Sequence, residues 1–90
     1  MNDDELRQAI NALLSDDEWV AMQPGDYRYS IDAAMQLPIN DNMYWRLNNC
    51  TYCQAALYER PENLITFTGH KTSFPLAMCE TWLKWRQTNE

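Results

Sequence analysis

Glycine is nearly missing from this chain: Gly25 and Gly69 are the two in ninety residues. No glycine-rich loop can therefore cradle the phosphates of a nucleotide. Histidine is scarcer still. His70 stands alone, and no serine or cysteine sits with it in a context that would activate a nucleophile. No run of about 18 apolar residues occurs, so no membrane-crossing helix is expected. The opening Met1-Asn2-Asp3-Asp4-Glu5 is acidic where an export signal begins basic. Three cysteines, an odd number without an export signal, suit a reducing compartment better than a disulfide framework. These gaps together predict a cytoplasmic protein, one domain of ninety residues with a small core, in contact with no membrane.

Positive charge is also in short supply, and its distribution says more than its total. Seven Lys and Arg face thirteen Asp and Glu, a formal charge of -6. Residues 1–45 hold nine of the acids against Arg7 and Arg28, a balance of -7, while residues 46–90 hold five bases against four acids, a balance of +1. So acidic a front repels a phosphate backbone and attracts a basic protein surface, which disfavours direct nucleic-acid binding. The same charge also serves solubility as a solvated face.

Pattern supplies the fold. From Met43 the chain alternates, with Met43, Trp45 and Leu47 on one side and Tyr44, Arg46 and Asn48 on the other, the period of a half-buried strand. Trp45 is the expected core anchor. Asn48-Asn49 tolerates the left-handed backbone of a two-residue turn and predicts a return along Cys50 to Tyr58. Arg60-Pro61-Glu62-Asn63 then sends the chain back through Leu64 to Thr68, rich in β-branched and aromatic residues. A helix capped by Asn49 and running through Cys53, Gln54 and Leu57 is the rival reading of the middle segment.

Before the hairpin, Asn2 with Glu5 makes a capping box for a helix from Asp3 to Leu14, and Ser15 with Glu18 repeats the device for a short second helix stopped by Pro24-Gly25. Tyr27, Tyr29 and Ile31 alternate with Arg28, Ser30 and Asp32 and predict a strand that adds to the meander. Ala33 to Leu37 amounts to one helical turn. At the other end Ser73 caps a helix to about Gln87, with Pro75 in its first turn. Leu76, Met78, Cys79, Trp82, Leu83 and Trp85 cover about half its circumference, so one edge, Met78 with Trp85, is expected to stay exposed. The whole is an α+β domain: an N-terminal helix, an antiparallel sheet of three to four strands, and a C-terminal helix packed on the sheet.

One motif invites metal chemistry. Cys50 and Cys53, with His70 and Cys79, supply four zinc ligands, or a thiol pair for redox regulation. The spacing opposes it, because the second pair lies nine residues apart, and in a strand residues three apart face opposite sides. The acids of Asp3-Asp4-Glu5 and Asp16-Asp17-Glu18 sit where helix N-termini favour negative charge. With no catalytic set and no cofactor indicated, the sequence points to a non-catalytic binding protein. Asp16, Asp17, Glu18, Asp26 and Asp32, with Trp82 and Trp85, would meet a basic partner. By analogy, that partner is a nucleic-acid-handling complex blocked in the manner of a phage or mobile-element anti-defence inhibitor. The alternatives are the Cys/His regulator and a structural homo-oligomer.

Overall fold

A computed structural model describes residues 2–21, 26–49, 51–60 and 64–88, with the backbone alone at 19–21, 64–68 and 70. Helix α1 spans Asp3–Leu13 and begins with the expected reciprocal cap: the Glu5 N–H donates to Asn2 Oδ1 at 2.8 Å and the Asn2 N–H to Glu5 Oε1 at 3.5 Å. Leu6 and Ile10, one turn apart, are its buried contacts. Leu14 is already extended and ends the helix one residue before the expected limit. Helix α2, Asp16–Ala21, repeats the cap with Ser15 and Glu18 at 3.0 and 3.2 Å. Its expected stop at Pro24-Gly25 lies outside the described residues.

The strand expected over Tyr27–Ile31 is a turn and a helix instead. Asp26 organises it: its carbonyl accepts from the N–H groups of Tyr29 and Ser30, and its carboxylate from the N–H of Arg28. Ser30 then caps α3, Ile31–Ala34, by accepting from the Ala33 N–H at 3.3 Å. Asp and Ser side chains offered the backbone local bonds that a strand would have had to replace. Tyr27 and Arg28 are both buried although adjacent, where a half-buried strand would alternate.

Strands β1, Met43–Asn49, and β2, Cys53–Glu59, form an antiparallel hairpin in which Trp45 faces Leu57 and Asn49 faces Cys53. The helical rival for the second segment is thereby excluded. The turn is also displaced. Asn48 and Asn49 remain in the strand, where Asn48 Nδ2 donates to Gln54 Oε1 on its cross-strand partner at 3.5 Å, and the chain turns after Asn49. Strand β3, Leu64–Lys71, pairs antiparallel with β2, with a register shift at Leu57/Tyr58, so the strands lie in the order β1-β2-β3. The expected turn at Pro61-Glu62-Asn63 lies outside the described residues.

Helix α4, Phe74–Thr88, runs from the expected Ser73 cap, whose Oγ accepts from the Leu76 N–H at 3.5 Å. It packs on β2 and β3 with one side and on α1 and α3 with the other. A helix covered on both sides needs apolar residues around most of its circumference. That is why Met78 and Trp85, expected at an exposed edge, are buried, Met78 completely. Trp82 is fully buried as well, and its Nε1 donates to the Pro38 carbonyl at 2.8 Å, tying α4 to the segment after α3. Trp45, the expected anchor, is only half-buried beside this core.

Contact between α4 and the sheet depends on one of the two glycines. Gly69 lies opposite Ala55 in the ladder. A Cβ built on it would stand 2.6 Å from Thr81 Oγ1 and 2.7 Å from the Ala77 carbonyl oxygen. Thr81 Oγ1 itself lies 3.0 Å from the Ala55 carbonyl and 2.8 Å from that of Ala77, its one proton shared between sheet and helix. Gly69→Ala is therefore expected to push α4 off the sheet and cost about 1–3 kcal/mol. Urea unfolding of the variant measures this; an unchanged midpoint would show that the close approach is dispensable.

Candidate partner-binding surface

The acids proposed from sequence fall into two groups once the chain is folded. Asp16 and Asp17 are exposed in the first turn of α2, Asp32 in the first turn of α3, and Asp3, Asp4 and Glu5 in that of α1. Glu18 and Asp26 hold the structure together instead. Glu18 Oε1 accepts from Arg86 at 2.6 Å, joining α2 to the end of α4. Burial opposes the Glu18 charge, yet the Ser15 N–H and the Arg86 guanidinium outweigh it and hold the pKa below its ordinary value.

Asp26 belongs to a knot around Arg28, a buried cation. Arg28 Nε donates to both Asp26 oxygens, one terminal nitrogen donates to Asp26 at 2.7 Å, and the other reaches Asp4 at 2.9 Å. Hydrogen bonds from Arg28, opposed by burial, hold the Asp26 carboxyl below its usual range, and Asp26 in turn raises the pKa of Arg28. The guanidinium also lies 4.8 Å from the centre of the Tyr29 ring.

That knot positions a surface the sequence reading missed. Tyr29 is 63% exposed, Met35 52% and Ile31 42%. Ile31 and Met35 stand one helical turn apart, with Asp32 between them in sequence, and the Tyr29 hydroxyl donates to Asp3 Oδ2 at 3.5 Å. A shallow hollow lined by Asn2, Asp3, Asp4 and Tyr29 adjoins them. Exposed apolar side chains rimmed by exposed carboxylates have the anatomy of a protein-binding patch. The available signal was Ser30 followed by Ile-Asp-Ala-Ala, a capped helical start that the apparent Tyr27–Ile31 alternation concealed.

Trp82 and Trp85, placed in the partner surface from sequence, do not belong there. They are 0% and 6% exposed, pack edge to face at 6.4 Å, and lie beneath the Arg86 guanidinium. Of the cysteine and histidine set, the structure describes the side chains of Cys53 and Cys79. Cys79 is buried, with its thiol directed at the Tyr27 carbonyl at 3.3 Å, while the half-exposed Cys53 faces the Thr72 carbonyl at 3.7 Å. Cys50 lies outside the described residues, as does the His70 side chain. Among the described residues no group of three or more His, Cys, Asp or Glu could hold a metal ion, and no helix is long and apolar enough to cross a membrane. Comparison with protein-family models, curated proteins and solved structures finds no match to this chain.

Burial, with a minor contribution from the Asp26 charge, pushes the Cys79 thiol up to about 12. In alkylation mapped by mass spectrometry at neutral pH, Cys53 is expected to react while Cys79 stays unmodified until the protein unfolds. Equal labelling of both would show that α4 is not closed over its thiol. The acid limb has the opposite sign. The depressed carboxyls of Asp26, Glu18 and Glu80, the last opposed by burial but held down by Lys71 and Lys84, each at 3.2 Å, stabilise the fold above the ordinary carboxylate range, and that contribution is lost as pH falls through their lowered values. Urea midpoints should therefore drop below about pH 4, and Asp26→Asn should flatten the decline.

Proposed function

We infer that this chain is a non-catalytic binding protein that presents a rimmed apolar patch and its acidic helix starts to a basic surface on a partner protein. One observation carries the reading: Tyr29, Ile31 and Met35 are exposed, Tyr29 bonded to Asp3 and Ile31 next to Asp32 in α3, while most of the other large apolar side chains among the described residues lie against the core. Apolar side chains at the centre of such a patch supply affinity on desolvation, and free carboxylates around it supply steering and discrimination. Asp16 and Asp17 extend the negative field from α2. Glu18, Asp26, Trp82 and Trp85 serve from behind, holding the elements that display the surface.

In its more specific form the partner is a nucleic-acid-handling complex, and the chain acts as a phage- or mobile-element-type inhibitor by occupying the basic surface that a phosphate backbone would take. The support is charge. Carboxylates at three helix starts offer such a surface the anions it is built to receive, without a backbone to cleave.

The test separates display from framework. Wild type and an Asp16→Lys/Asp17→Lys/Asp32→Lys variant are immobilised and challenged with host lysate at two salt concentrations, with captured proteins identified by mass spectrometry. Circular dichroism confirms that the variant is folded. Capture of a basic protein is expected, weaker by about tenfold or more in the variant and in wild type at high salt. Tyr29→Ala/Met35→Ala should weaken capture without changing its salt dependence. A variant that captures the same protein as well as wild type would refute the acidic surface.

A further inference from the structure

The sheet carries a second feature. Strand β1 is an outer strand, paired among the described residues with β2 alone. The Arg60 N–H donates to the Asn42 carbonyl at 2.8 Å, which makes 42 and 60 a hydrogen-bonded pair. Hydrogen-bonded and open pairs alternate along an antiparallel ladder. In this register Tyr44, Arg46 and Asn48 bond to β2, whereas Trp45, Leu47 and Asn49 turn their N–H and C=O groups outward. The strand contains no proline and no bulge.

Its side chains define what that edge can accept. On the face away from α4, Tyr44 and Tyr58 stack at 5.5 Å, Arg46 lies 5.3 Å from the centre of the Tyr58 ring, and Arg60 lies 4.7 Å from that of Tyr44. The rings fix the guanidinium planes while leaving their N–H edges free. Neither arginine has a carboxylate partner among the described residues, although the chain carries thirteen acids. On the other face Leu47 is exposed beside the half-buried Trp45.

We propose that the free edge of β1 binds an extended acidic peptide segment of a partner protein as an added antiparallel strand. The outward groups of Trp45, Leu47 and Asn49 supply the ladder. A residue opposite Arg46 shares its face and meets the guanidinium; one opposite Leu47 meets the apolar side. The segment recognised therefore alternates acidic and apolar residues. A second copy of the chain fits less well, since the fully overlapping antiparallel register would set Arg46 against Arg46. A single-stranded nucleic acid fits less well too, because the tyrosine faces are taken up by each other and by the arginines. This site lies on the sheet, apart from the Tyr29–Met35 surface, and does not rest on the function inferred there.

The probe is a fluorescein-labelled peptide of four Glu-Val repeats, followed by anisotropy, with four Lys-Val repeats and an oligothymidylate as comparators. Amide exchange at Trp45, Leu47 and Asn49 reports where it binds. The Glu-Val peptide is expected to bind and slow exchange at all three amides. Arg46→Glu should weaken it by about five- to tenfold, through loss of attraction and gain of repulsion. Leu47→Pro removes an outward donor that β2 does not use and should abolish binding while the fold persists. If that variant unfolds, Arg46→Glu and the exchange pattern decide. Equal binding of the Lys-Val peptide, or unchanged exchange at the three amides, would overturn the proposal. So would tighter binding of the oligothymidylate, or protection that grows with protein concentration without peptide.

Discussion

The seating of α4 between the sheet and the two helices α1 and α3 is the constraint on which the rest of the structure depends. A ninety-residue chain can bury only a small core, and here one helix provides the largest share among the described residues, through Leu76, Ala77, Met78, Cys79, Trp82, Leu83 and Trp85. Gly69 removes a side chain where α4 crosses β3, and Thr81 binds across the gap to Ala55. The scarcity of glycine gives that position its weight.

Two cations then divide the acids. Arg28 gathers Asp4 and Asp26 beneath Tyr29, and Arg86 draws Glu18 onto the end of α4. Asp16, Asp17 and Asp32 stay exposed at helix starts, where the macrodipole favours them and solvent screens them. Negative charge in this molecule is therefore both mortar and display. The positive side chains Arg46 and Arg60 stand on the sheet, held on tyrosine rings, so the two signs are presented by different layers.

Much of the framework was legible because its signals are local. Both capping boxes, the Met43–Leu47 alternation and the Ser73-x-Pro75 helix start act within four residues of sequence and leave the backbone little alternative. The misread parts depend on what lies across space. Tyr27–Ile31 imitated a strand over five residues, and only the Asp26 and Ser30 side chains, with Arg28 turning inward, convert it to a turn and helix. Asn48-Asn49 looked like a turn, but the Gln54 amide opposite keeps it extended. Trp82 and Trp85 appeared surplus to a helix with one covered side, and the second covering layer, α1 with α3, is not written in α4 itself. The candidate surface suffered most, since Tyr29 and Ile31 changed sides when the strand became a helix.

The central claim is that the molecule acts through a fixed patch of apolar and acidic side chains. Hydrogen–deuterium exchange of the chain, free and bound to a captured partner, tests it most directly. Protection concentrated over residues 28–35 and the start of α1, with α4 unchanged, is the expected result. Protection absent from 28–35, or a partner released chemically altered, would contradict it.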